Sequence, residues 1–420
     1  MQSFKEFGEY ILKHSRHGEN PSSKVHIIVN YPKIKWDDWA EYMATLTWFS
    51  GIPLSRGGSK NAHVIFAETI DQALQSVDQY EHAMISYIGS FYYSDHEENI
   101  HKHFDEFCES DHACRGHLLF HPNKPYGRLH PQTIFVNLNH WREIGKPSFG
   151  LYTGKVINYE RSTSNVHDDY TPHWVKAGQG YKNVIMCEQG EYISKVLESG
   201  KTILNFDKQR KVKFFCYPER RQSNTLDSER NKTSNIVYTR NNEFVPNTNH
   251  KFDVIYAPAS GNLAERLYSQ YANPGCKLVI YDYNADSIRW KKTLYLMQDI
   301  EGTNKYFKKN VDCIIDDCSY KPELVVESKK AFSDEEWIKV IRSVNPEIIQ
   351  YDILDGPFDV DPNKKNLVYL SNIFSYNFVI HRMPITDIHN IFNKYLQLPN
   401  TTVVGKNVFK DSVYHENSVR

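Results

Sequence analysis

"DVIYAPASGNLAERL", residues 253–267, decides how the chain is read. Val254 to Ala257 form a strand-length apolar run, Pro258 to Asn262 supply a turn around one glycine, and Leu263, Ala264 and Leu267 return at helical spacing. A strand passing through a short turn into a helix is the repeating unit of α/β proteins. Such a turn aims the helix's free N–H groups and positive dipole end at whatever lies above the strand. Gly261 permits close backbone approach there.

The next apolar run, "CKLVIYDYN" (276–284), ends in Asp282, 21 residues beyond Gly261. An acid about 20 residues after the glycine turn is placed to accept two hydrogen bonds from ribose hydroxyls in doubly wound folds. The expectation is that the bend at Ser260 and the Asp282 carboxylate face one hollow wide enough for an adenosine. The alternation then continues. "FSDEEWIKVIRSV" (332–344) reads as a helix, with Ser333 and Glu336 spaced as a capping box and Asn345-Pro346 as its stop. "EIIQYDIL" (347–354) and "NLVYLSNIF" (366–374) read as strands.

On these residues, the region 250–400 resembles the class I S-adenosylmethionine-dependent methyltransferases. The resemblance implies a donor held by Ser260, Gly261 and Asn262, with Asp282 on the ribose and Asp352 on the adenine side. "LSNIFSY" (370–376) is similar to the family's Asn/Asp-Pro-Pro-Tyr/Phe segment, which implies that Asn372 holds the amino nitrogen to be methylated while Phe374 stacks on the base. The family carries further glycines and an acid in the first loop, and two prolines in the second segment. Here Gly261 stands alone after Pro258, and both prolines are absent. The alternative for the same residues is structural: Asp282 caps a turn and Phe374 packs in the core.

The N-terminal half shows the same rhythm. "KVHIIVNY" (24–31), "AHVIFA" (62–67) and "AMISYIG" (83–89) read as strands; "WDDWAEYMATLTWF" (36–49), "ETIDQALQSVDQ" (68–79) and "SDHEENIHKHFDEF" (94–107) read as helices. Capping-box spacing at Thr69/Gln72 and Ser94/Glu97 marks two helix starts. "GHLLFHPNKPYGRLHPQTIFVNLNHWREIG" (116–145) concentrates chemistry-capable groups, namely His117, His121, His130, Gln132, Asn137, His140, Trp141 and Arg142. Its strand "TIFVNL" running into "NHWREIG" resembles a pocket-lining segment of GT-A-type glycosyltransferases. That implies a sugar nucleotide and a glycan acceptor. The Asp-x-Asp by which such enzymes hold a divalent metal is replaced here by Ser86-Tyr87-Ile88-Gly89, so any glycosyl transfer is expected to be metal-independent.

His117 and His121 are four apart on a strand and turn, which does not put them on one helical face as a zinc site needs. No metal site is expected. His167, Asp168 and Asp169, with His173, form a polar loop in which a carboxylate beside an imidazole suits a general base. The same residue types also collect in turns for backbone reasons.

At 420 residues the chain is long enough for two cores. The nearly apolar-free stretch 218–235 marks the boundary, giving an α/β domain at 1–217, a polar linker at 218–250 and a second domain at 251–420. From Lys201 to Lys232 basic residues outnumber acidic ones, read as either a solvated linker or an anion-binding patch. A net charge of -1 argues against nucleic acid and anionic membrane surfaces as partners. The N-terminus has no signal-like apolar core, and no window approaches the length of a membrane span. Seven cysteines without a CxxC pair suit a reducing, cytoplasmic setting.

Two tandem Rossmann-like domains with mostly parallel sheets are therefore expected. The leading function is group transfer from a nucleotide-type donor, S-adenosylmethionine, to a small-molecule or glycan acceptor. The alternatives are a metal-independent glycosyltransferase and a non-catalytic binding or assembly protein.

Overall fold

The computed structural model describes residues 1–14, 22–30, 35–51, 63–94, 100–120, 127–152, 187–205, 212–216, 235–241, 243, 245, 247–316, 326, 329–371, 373–375, 382–407 and 410–416. The chain is mixed α/β with mostly parallel sheets, and its contacts divide it into two compact units, Met1–Leu226 and Asp227–Arg420.

In the first unit the strands are β1 (Lys24–Val29), β2 (His63–Ala67), β3 (His82–Tyr87), β4 (Ser90–Ser94), β5 (Cys114–Phe120), β6 (Gly127–Asn137), β7 (Leu151–Tyr152), β8 (Cys187–Glu188), β9 (Ile203–Asn205) and β10 (Val212–Cys216). Its helices are α1 (Phe4–His14), α2 (Asp38–Gly51), α3 (Ile70–Leu74), α4 (Ile100–Cys108), α5 (Leu138–Glu143) and α6 (Gly190–Glu198). Six strands pair in the order β2-β1-β3-β6-β5-β9. β1 runs parallel to β2 and β3, and β5 parallel to β9, while β6 is antiparallel to both its neighbours. Side chains alternate across the sheet as the pleat requires. Val25, Ile27, Val29, Ile85 and Val136 pack with Leu74, Trp141 and Tyr192 on one face. On the other, Met84 and Phe135 meet the Ile100, Phe104 and Phe107 stripe of α4.

Two helix starts differ from expectation. Thr69 accepts the Gln72 amide as a cap, but the Gln72 side chain returns to the Glu68 amide, so the box is only half formed. Ser94 ends strand β4 rather than capping a helix, and α4 begins at Ile100.

The second unit contains β11 (Ile236–Tyr238), β12 (Phe252–Pro258), β13 (Ala272–Asp282), β14 (Ile314–Asp316), β15 (Glu347–Gln350), β16 (Asn366–Ser371), β17 (Thr401–Asn407) and β18 (Lys410–Glu416), with helices α7 (Leu263–Tyr271), α8 (Ala285–Met297), α9 (Ile300–Asn310), α10 (Asp334–Ser343) and α11 (Ile385–Leu396). Its six-stranded sheet has the order β15-β13-β12-β16-β17-β18. Counted along the chain this is 3-2-1-4-5-6, with only the last strand antiparallel. In such a sheet the connections leave in opposite directions from the first and fourth strands, and ligands favour the crevice at the carboxyl ends of that pair. Here the pair is β12 and β16.

α7 and α8 are tied to the turn between β12 and α7 by one buried ion pair. The Lys291 ammonium on α8 donates to both Glu265 carboxylate oxygens at 3.0 and 3.1 Å, and to the Gly261 carbonyl. Both side chains are fully buried. Removing one partner of such a pair strands a charge in the interior. Lys291→Met is expected to cost roughly 3–5 kcal/mol, and Lys291→Met with Glu265→Leu to recover most of it. Urea unfolding of both variants checks this; equal losses would mean that the pair is not the clamp.

Candidate functional site

The carboxyl edge of the second unit's sheet gathers most of the expected donor-binding positions. Ser260 and Gly261 lie just past the tip of β12, Asp282 is the last residue of β13, Asp352 follows β15, and Ser371 ends β16. The backbone of Tyr351 donates to the Asp282 carbonyl at 2.9 Å, which sets the two acid-bearing strand tips side by side. The turn, both acids and the neighbour of Asn372 therefore belong to one edge. Asn372 itself lies outside the described residues.

Each group at this edge already has a partner in the chain. Asp282 Oδ1 accepts the Asn284 amide at 2.9 Å, and Asn284 in turn caps α8 by accepting the Asp286 amide. Burial pushes the Asp282 carboxyl up to about 7, reinforced by the nearby Asp352 and opposed by the Asn284 amide and Lys291. Asp352 caps the short helical turn Ile353–Asp355 through the Leu354 amide at 3.0 Å and pairs with Arg382 at 2.6 Å.

Gly261 is left-handed at φ +58°. The close approach that it permits is made by the protein itself. Its amide donates to the Tyr238 carbonyl at 2.8 Å, and a Cβ at 261 would fall 2.5 Å from the Asn241 nitrogen and closer still to the Arg240 carbonyl carbon. Asn241 donates its amide to Asn262 Oδ1 and its side-chain nitrogen to Ser260 Oγ, both at 3.3 Å. Asn262 is fully buried and does not cap α7. The open hollow expected above the turn is therefore filled, over Gly261, by residues 238–241. Phe374 is also not free to stack on a base: it is fully buried, edge-to-face with Phe392 at 5.3 Å and Tyr395 at 6.0 Å.

Sequence reasoning missed the groups that do this covering. Val237, Arg240 and Asn241, assigned above to a polar linker, are buried. Ser371 donates to Glu243 at 2.5 and 2.6 Å from a left-handed backbone at φ +59°. The one legible signal was the return of apolar residues at "IVY" (236–238) after the polar run.

In the first unit the glycosyltransferase-like segment lies at the wrong edge for a crevice ligand. Asn137 pairs with His82, the first residue of β3, so it stands at the amino ends of the parallel strands. It caps α5 by accepting the His140 amide at 3.1 Å. Trp141 is buried and donates its indole N–H to the Pro147 carbonyl at 2.9 Å. His140 is buried between Glu143 and Ser199. His117 falls in β5, and His130 and Gln132 in β6, with side chains outside the described residues; His121, His167, Asp168, Asp169 and His173 lie outside them altogether. A buried pair that the sequence did not announce, His26 and Ser86 at 3.0 Å, crosses β1 and β3, and burial pulls the His26 imidazole down to about 3.

Among the described residues no three histidine, cysteine or carboxylate groups are arranged to hold a metal, and no helix is long and apolar enough to cross a membrane. No protein-family model matches the chain, and no curated protein matches it significantly.

Two outcomes follow from this geometry. Gly261→Ala combines a disfavoured φ with a backbone collision and is expected to destabilise by at least about 1–3 kcal/mol in urea unfolding, whereas Gly275→Ala meets nothing nearby and carries the φ term alone. For Asp282 the folded value lies above the ordinary 3.8, so its stabilising contribution is complete below about pH 4 and lost as pH rises through about 7. Asp282→Asn keeps the acceptor for Asn284 and removes that loss. Its melting temperature should gain on wild type between pH 5 and pH 8, and parallel pH profiles would contradict the assignment.

Proposed function

We propose that the chain is a group-transfer protein built on two Rossmann-like α/β units, in which the second unit holds a nucleotide-type donor, S-adenosylmethionine in first place. The observation that carries the reading is the convergence of Ser260, Gly261, Asp282 and Asp352 on the tips of three adjacent strands beside the β12/β16 switch point. A position of that kind is where doubly wound sheets bind nucleotides. The acceptor is proposed to be a small molecule or a glycan, and the setting cytoplasmic.

The fit of this donor to the residues is uneven. Asp282 and Asp352 suit hydroxyl and amino donors, and Asp282 uses only part of its accepting capacity on Asn284. The turn leaves no room above Gly261 while residues 238–241 rest on it.

Thermal shift against S-adenosylmethionine, S-adenosylhomocysteine and a panel of sugar nucleotides, with and without manganese, tests the reading. A rise with the adenosyl ligands, abolished by Asp282→Ala, is expected. Because hydroxyl groups donate to the ionised carboxylate, affinity should strengthen as pH rises through about 7. A shift that Asp282→Ala leaves intact would sink the assignment.

A second reading, a non-catalytic binding or assembly protein, is favoured by one specific observation: the crevice position over Gly261 is taken by the chain's own residues. No shift with any ligand supports it. The glycosyltransferase alternative gains nothing from Asn137 and Trp141, which serve as a helix cap and a core residue.

A further inference from the structure

We propose that residues 236–241 with Glu243 form an autoinhibitory strap, a two-state cover whose opening exposes the switch-point crevice of the second unit; as a gate for a donor it rests on the reading above. The strap touches three strand tips in turn. Ile236 accepts the Asn284 side-chain amide at 3.3 Å, beside Asp282 at the tip of β13. Tyr238 and Asn241 hold the turn after β12 through Gly261, Ser260 and Asn262. Glu243 reaches Ser371 at the tip of β16. A segment bonded to the tips of the first, second and fourth strands lies across the place where a ligand would enter.

The sheet beneath it is anchored on two sides: β12 pairs with β13 between Phe252 and Pro258 and with β16 from Val254 to Tyr256. The strap's own β pairing is the three residues of β11 on β14, with Val237 in the apolar core and polar contacts from its other residues. Several of those contacts are imperfect. The two Asn241 bonds are long at 3.3 Å. Arg240 pairs with Asp334 through one nitrogen, but its other terminal nitrogen is buried without an acceptor among the described residues, as is the side-chain nitrogen of Asn262. Buried donors without acceptors carry an uncompensated desolvation cost. Opening the strap releases the long Asn241 bonds and lets solvent reach the unpaired Arg240 and Asn262 donors, which lowers the cost of the open state. Local opening well below the global unfolding free energy is the physical consequence.

Native-state hydrogen exchange on the full chain tests this. The Asn241 and Gly261 amides are expected to exchange together through a shared sub-global opening. Glu243→Ala should speed both at least tenfold while leaving Ile255, in the interior of β12, unchanged. Ser371→Ala removes the other half of the same contact and should give the same pattern, so a folding defect in one variant does not decide the matter. If the two amides exchange only through global unfolding, or neither variant accelerates them, the strap is overturned. S-adenosylhomocysteine then separates the gate from the donor site. At least fivefold tighter binding to the variants than to wild type supports the gate, since affinity scales with the fraction of open molecules. Equal affinity in all three keeps the donor reading and overturns the gate. Absence of binding in all three overturns the donor reading and the gate with it, while the exchange pattern still decides whether the strap opens.

Discussion

The second unit depends on one charge placed where charges are costly. The Lys291 ammonium is fully buried, and desolvation pulls its pKa down while Glu265 pulls it up. Its neighbours are the faces of Trp290 and Trp337, with the nitrogen 5.5 and 5.6 Å from the ring centroids. An ammonium in that setting is tolerable only with acceptors at fixed positions, and it has three: two carboxylate oxygens on α7 and the Gly261 carbonyl. Two helices and the turn between strand and helix are thereby fixed to one point. The same turn carries the left-handed Gly261, whose amide is bonded to Tyr238 and whose Cα faces the backbone of residues 240–241.

The field of the same ammonium extends to the sheet's edge. Lys291 is among the charges that stabilise ionised Asp282, yet burial and Asp352 outweigh it and leave the carboxyl near 7. A carboxyl balanced there changes its charge with small changes in its surroundings. A hydroxyl donor arriving at the strand tip would tip it toward the anion, and displacement of the strap would admit solvent with the same sign of effect. Asp282, the turn and residues 236–241 are joined by contiguous contacts within one unit.

The α/β rhythm was legible because it rests on local pattern. Ser333 and Glu336 form the complete capping box that their spacing announces, and Phe332 and Trp337 are buried at its ends. The Ile100, Phe104 and Phe107 stripe is buried as its period requires. Asp282 stands at a strand tip because a continuous branched run ends there. What was not legible depends on partners distant in sequence. Nothing near Gly261 says that its close neighbour is the backbone of residues 240–241, about 20 positions earlier, rather than a ligand. Nor does a polar run followed by "IVY" reveal that Val237 enters a core with Trp290 and Trp337. Lys291 reads as one surface lysine among many, because a basic residue on a helix carries no local mark of burial.

The first unit shows a second kind of blindness. A segment such as "TIFVNLNHWREIG" carries its residue types whichever way its strand runs. β6 is the strand that runs against its neighbours, so its carboxyl end lies at the amino edge of the sheet. Asn137 and Trp141, which would line the ligand edge on a parallel strand, become a helix cap and a core ring instead. In the second unit Asp282 escapes this ambiguity because β13 is parallel to both β12 and β15, which leaves its last residue only one edge to occupy. Strand direction, fixed by pairing between distant segments, therefore decides which chemistry-bearing residues can share a crevice, and it separates the two candidate constellations more sharply than their side-chain composition does.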